Sequence, residues 1–74
     1  MPIIEMHLMV GRTTEQKRRV MAAVARAAAD ALDCSVDTVR ILITEHQLDE
    51  FSVAGVSAAA KREAALNAET KDMT

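Results

Sequence analysis

Aromatic side chains are almost absent from this chain, which has one phenylalanine, Phe51, and no tryptophan or tyrosine. An interior must therefore be built from Val, Ile, Leu, Met and Ala, within an apolar content of 50%. Cysteine is limited to Cys34, which excludes an intrachain disulfide. It follows a predicted helix end, with no helix N-terminus to activate its thiol, and reads as inert. His7 and His46 have no partners at metal-ligand spacing and read as structural or solvated. Basic charge is not in excess: the formal net charge is −2, and Lys17-Arg18-Arg19 is the one basic run. That removes the electrostatic case for nucleic acid. No apolar run approaches the ~20 residues of a membrane span. No basic-then-apolar leader is visible, so a reduced, cytoplasmic location is expected.

What remains is a short, aliphatic, alanine-rich chain of 74 residues, expected to form a single domain over 1–74. A chain this short buries only about 60% of its unfolded surface. Lacking disulfides and a structural metal, it is expected to find the missing burial in copies of itself.

The first element is a strand over residues 2–10. Ile4, Met6, Leu8 and Val10 alternate with Glu5, His7 and Met9, and Gly11 marks the exit. Pro2 suits a first strand position, which can lack a ladder donor. Thr13-Thr14-Glu15-Gln16 then has the form of a capping box, with an acid in the first turn. A helix is predicted from about residue 14 to 32. Its apolar stripe is read as Val20, Val24, Ala27, Ala28 and Ala31, with Lys17 and Met21 at the margin. The Lys17-Arg18-Arg19 run is assigned to a solvated face.

Ser35 to Thr38 reads as a turn. Val39 to Glu45 is a second strand, and its near-continuous aliphatic run suggests burial on both faces. Strand, long helix, strand implies a parallel pair with a right-handed crossover. Beyond it, Phe51-Ser52-Val53 forms a short strand before an Ala54-Gly55 turn. Residues 57–68 favour helix by composition, with Leu66 as their one large apolar residue, and residues 69–74 are expected to fray. The fold class is α/β (α+β): one βαβ unit with parallel strands, a short C-terminal hairpin strand and a C-terminal helix. One helix covers one face of such a sheet, so its other face and edges are an association surface.

Two readings of Pro2 stand side by side. It is an ordinary strand-start proline, or, with Met1 removed, a free secondary amine held rigidly by a strand. Arg12 is either a solvated residue after Gly11 or an anion-binding group. Arg40 interrupts an aliphatic strand and needs a partner, with Glu45 or Glu5 of another chain as candidates. Phe51 alone reads as packing.

Taken together, Pro2 after Met1, Gly11-Arg12, Glu15-Gln16-Lys17, Val39-Arg40, Ile43-Thr44-Glu45 and Phe51 resemble the 4-oxalocrotonate tautomerase (2-hydroxymuconate tautomerase) family of the tautomerase superfamily. The correspondence runs in register over roughly residues 2 to 60. It implies a trimer-of-dimers homohexamer in which two βαβ units build a four-stranded sheet. It also implies a cofactor-independent isomerase converting unsaturated 2-hydroxy dicarboxylates to their 2-oxo forms, in breakdown of aromatic compounds. In that resemblance Pro2 is the general base and Arg12 binds the remote carboxylate. Arg40, from a neighbouring subunit, holds the 2-oxygen and near carboxylate. Phe51 forms an apolar wall, and Met9, Thr38 and Val53 line the pocket.

Elementary chemistry agrees. A terminal amine titrates near 7.7–8.0 in model peptides. An apolar site and two guanidiniums disfavour its protonated form and bring it towards the range of a base at neutral pH. Pro2 and Arg12 bracket a strand of about nine residues, roughly 30 Å at 3.3 Å each. A single small substrate cannot span that length, so the site is expected to be shared between chains.

The sequence departs from the family at Ser52, Val53 and Ala54, where relatives often carry glycines, and only Gly55 is kept. Dehalogenating relatives place a water-activating glutamate two residues after the phenylalanine. Val53 occupies that position and disfavours such hydrolysis. The C-terminal tail is longer than in the short members. Decarboxylation or conjugate addition through Pro2, or a non-catalytic assembly role, are the alternatives. The expected partners are a small unsaturated keto or enol acid and further copies of the chain, with no metal, nucleic acid or membrane.

Overall fold

The computed structural model of the protein describes the backbone of residues 1–72 and the side chains of residues 1–67. Strand β1 spans Ile3–Met9 and strand β2 spans Arg40–His46. They pair in parallel, Ile3 opposite Arg40 through Met9 opposite His46. Helix α1, Thr14–Leu32, makes the crossover between them. Val36–Thr38 and Leu48–Glu50 are single 3₁₀ turns. Strands β3, Ser52–Val53, and β4, Val56–Ser57, form an antiparallel hairpin, and helix α2 follows over Ala58–Asp72. The α2 backbone thus runs past the predicted 57–68. The tail expected to fray over 69–74 overlaps it to Asp72, and its last two residues lie outside the described chain.

Local chemistry explains where α1 begins and ends. Thr13 accepts from Gln16 N–H at 3.1 Å, and the Gln16 side chain accepts from Thr13 N–H at 2.9 Å. This reciprocal pair satisfies two of the donors that a helix start leaves open. At the far end Asp33 turns left-handed, φ 54°, and Cys34 N–H donates to Ala29 O at 3.0 Å.

The side of α1 facing the sheet carries two columns, Val20-Val24-Ala28 and Lys17-Met21-Ala25-Ala29, all at least half-buried. Ala27 and Ala31, expected in the stripe, are exposed instead. The i, i+4 column through Met21 replaces them because it lies next to the first on the helix surface. Ala29, at 6% exposure, is the one buried residue among those described. Lys17 is not solvated: its Nζ donates to Glu45 Oε1 at 2.6 Å, which ties the helix to β2.

On β1, Ile4, Met6 and Leu8 turn towards α1, as do Ile41 and Ile43 on β2. The opposite face is open. Ile3 is 54% and Leu42 52% exposed, so β2 is not buried on both faces as its aliphatic run suggested. Of the two helices α1 is the one that packs on this sheet, and it covers one side.

The chain exposes 5967 Å². A compact monomer of this mass exposes about 4,500 Å². Its radius of gyration is 17.6 Å and its extents are 57 × 24 × 19 Å, against about 11 Å for the radius of a compact chain of this length. The surplus lies in the open sheet face and in α2, which leans on the hairpin and the Leu48–Glu50 turn.

Candidate active site

Pro2 sits half-buried at the entrance to β1. Its carbonyl accepts from Arg40 N–H at 2.9 Å, because the parallel register sets Arg40 beside the first strand residues. The Met1 ammonium donates to Thr38 O at 2.8 Å, and Thr38 Oγ1 donates to Ser35 O at 2.6 Å. Pro2, Thr38 and Arg40 are thus brought together at one end of the sheet. With Met1 in place the Pro2 nitrogen is a tertiary amide and has no basic lone pair; removing Met1 exposes it at this spot.

Arg40 is an exposed first residue of β2, not a charge inside a buried strand. Its Nη1 donates to Asp37 O at 2.7 Å. Of the carboxylates considered for it, Glu45 faces the helix side and is taken by Lys17. Arg40 is held by a neutral carbonyl and pairs with no carboxylate among the described residues, so its remaining N–H donors are left for an anion.

Arg12 lies past the other end of β1, after Gly11 (φ 115°), where a side chain on the backbone is disfavoured. Arg12 lines a shallow groove with Leu8, Gln16 and Val20. Met9 ends the same strand. Seven residues of β1 separate the Pro2 end from the Arg12 end, about 23 Å at 3.3 Å per residue.

Phe51 and Val53 form a third place. Phe51 is 48% and Val53 67% exposed. They line an apolar groove of about 420 Å³ with Val56, Ala58 and Lys61. The two-residue turn between β3 and β4 has positive φ at both positions, 54° at Ala54 and 82° at Gly55. This mirror-image turn geometry matches strand twist.

The candidate residues therefore fall into separate places in one chain: Pro2, Thr38 and Arg40 at one end of the sheet; Arg12 in its groove past the other end, with Met9 on the opposite strand face from the groove's Leu8; and Phe51 and Val53 on the hairpin side. A single chain joins the first three and leaves the others apart. Asp37 and Lys61 are not singled out by the sequence. The Asp37 contribution is a main-chain carbonyl, which no side-chain pattern reveals. The two histidines, read separately, meet on the open sheet face. His7 Nδ1 and His46 Nε2 are 2.8 Å apart, with rings stacked at 5.0 Å. The parallel register that sets Met9 opposite His46 is the signal for this, and it follows only once the strands are aligned. Among the described residues there is no group of three or more His, Cys, Asp or Glu placed to hold a metal, and no helix long and apolar enough to cross a membrane.

Comparison with known proteins places this arrangement. The family model described as "Tautomerase enzyme" matches residues 2–61. The 2-hydroxymuconate tautomerase of Pseudomonas sp. (strain CF600) is 39% identical over 62 residues, 84% of this chain and 98% of the relative. The enzyme of the same name from Stutzerimonas stutzeri is 38% identical over 60 residues, 81% and 95% of the two chains. Among solved structures, one from work on 4-oxalocrotonate tautomerase isozymes of Methylibium petroleiphilum superposes with a TM-score of 0.83. It is 51% identical over 85% of this chain and 98% of that one. A heterohexamer 4-oxalocrotonate tautomerase from Chloroflexus aurantiacus J-10-fl gives 0.77 at 36% identity, over 80% and 95%. The matched span contains every candidate residue and stops in the first turn of α2. The chain belongs to the tautomerase family and is a 4-oxalocrotonate tautomerase-like isomerase.

Proposed function

We propose that this protein, after loss of Met1, ketonises unsaturated 2-hydroxy dicarboxylates such as 2-hydroxymuconate, with the Pro2 amine as general base. Pro2 takes the enol proton and returns it to a distant carbon, and no cofactor takes part. Arg40 of a neighbouring copy draws the developing negative charge onto the 2-oxygen and near carboxylate. Arg12 binds the remote carboxylate, and Phe51, Val53, Met9 and Thr38 shape the pocket and exclude water. A homohexamer in the cytoplasm is the assembly that goes with this reading.

The observation that carries it is the bond from Arg40 N–H to the Pro2 carbonyl, which ties Pro2 to the end of the sheet and does not involve Met1. It supports a freed amine at that end of the strand. Support for sharing between copies comes from the seven residues of β1 between the Pro2 and Arg12 ends, and from the exposed sheet face. A carboxylate received bidentately by an arginine fork is both oriented and stabilised.

The test is alkylation of the terminal amine on protein shown by intact mass to lack Met1. Ketonisation of 2-hydroxymuconate should be abolished in step with modification. In the unmodified enzyme the rate should rise with pH through an ascending limb below neutrality, because the base must be neutral to act. Full activity after complete modification would rule out Pro2 as the base.

A further inference from the structure

We propose that Lys61 is a substrate-binding residue that favours acids carrying a second carboxylate; this rests on the tautomerase reading above. The groove beside Phe51 is walled by Phe51, Val53, Val56 and Ala58, and Lys61 is its one charged lining residue. At about 420 Å³ it falls within the ~300–1,000 Å³ typical of small-molecule sites. An apolar wall with one cation suits a planar hydrocarbon chain ending in an anion.

The position of Lys61 is built into the backbone. Ala58 N–H donates to Phe51 O at 2.8 Å, which fixes the start of α2 to the phenylalanine itself. Ala60 N–H donates to Ser57 Oγ at 3.0 Å and caps the same turn. The start of α2, which carries Lys61, is therefore tied to the backbone of Phe51. The ammonium is also uncommitted: among the described residues the sole ion pair is Lys17 with Glu45. Asp49 and Glu50 lie on the turn that packs against α2, yet neither pairs with Lys61.

This gives the Phe51 wall a cation from its own chain; Arg12 lines a separate groove of that chain and reaches the same carboxylate from another copy, so Lys61 adds to Arg12 and does not replace it. A carboxylate at the end of the chain lying on Phe51 receives a charge-assisted hydrogen bond from Lys61. A monocarboxylate places its single anion on the arginine fork, which suits a carboxylate better than a point charge does.

Binding is measured by NMR titration of Met1-free protein with two unreactive planar acids of equal length, trans,trans-muconate (two carboxylates) and sorbate (one). Lys61→Met should weaken muconate about tenfold and sorbate by less than about twofold, with Lys61→Arg recovering most of the loss. Thermal unfolding of the variants checks that the fold is kept. Equal losses for both acids, no loss for muconate, or no binding of muconate by the wild type overturns the proposal. A wild type that binds muconate through Lys61 yet fails to ketonise 2-hydroxymuconate supports this proposal and refutes the ketonisation proposed above.

Discussion

The βαβ body and the C-terminal arm of this protein solve the same problem differently. In the body, residues 2–46, β1, α1 and β2 hold each other by ladder bonds, a capping box, aliphatic packing and the Lys17–Glu45 pair. In the arm, the Leu48–Glu50 turn, hairpin and α2 touch mainly one another. Phe51, Val53, Val56 and Leu66 are all exposed there. The body specifies its own structure, and the arm presents apolar surface to something else. The proposed chemistry divides the same way, with base and arginines on the body and apolar wall on the arm. Neither region alone makes a closed pocket, and the proposed shared site needs both.

Experiments that weaken one region and spare the other sharpen this contrast. The largest effect is expected on the body's chemistry: Arg40→Ala should lower kcat by about 10²–10³, the loss seen when a donor to developing charge is removed. The same change should leave thermal stability nearly untouched, because Arg40 is exposed, its side chain bonds only Asp37 O among the described residues, and its backbone bond to Pro2 O survives the substitution. Phe51→Ala on the arm should act mainly on KM, raising it about tenfold, if the phenyl ring is wall and not chemistry.

Stability effects come next. Thr13→Ala breaks the capping box of α1 and should cost about 1 kcal/mol in denaturant unfolding. Ala54→Gly should do the opposite in the hairpin. Ala54 holds φ 54°, a conformation that costs a residue with a Cβ roughly 1 kcal/mol and glycine little. The smallest effect belongs to Lys17→Met, where a partly exposed ion pair contributes about 0.5 kcal/mol or less.

The body was largely legible in the sequence because its signals are local and agree with one another. Thr13 to Gln16 announces α1, Gly11 ends β1, and a nineteen-residue helix between strands requires a parallel crossover. The identity of the stripe's second column was not legible. Alanines surround it on every side, and composition does not say whether Ala27 or Ala25 faces the sheet. Arg40 was misread as buried because a strand's first residue and its interior look alike in a run of aliphatics. The hairpin turn could be located from Ala54-Gly55, but β4 was not anticipated from two residues, Val56 and Ser57. The grouping of Lys61 with Phe51 is a tertiary fact set by one backbone bond, from Ala58 N–H to Phe51 O.

Subunit complementation tests most directly whether the site is assembled from separate chains. Pro2→Ala and Arg12→Ala variants, each with little activity alone, are unfolded together and refolded as a mixture. Mixed assemblies should regain ketonisation well above either parent, because some sites then combine an intact Pro2 from one chain with an intact Arg12 from another. A mixture that forms hetero-oligomers yet stays as inactive as its parents would contradict the account, since each site would then depend on residues of a single chain.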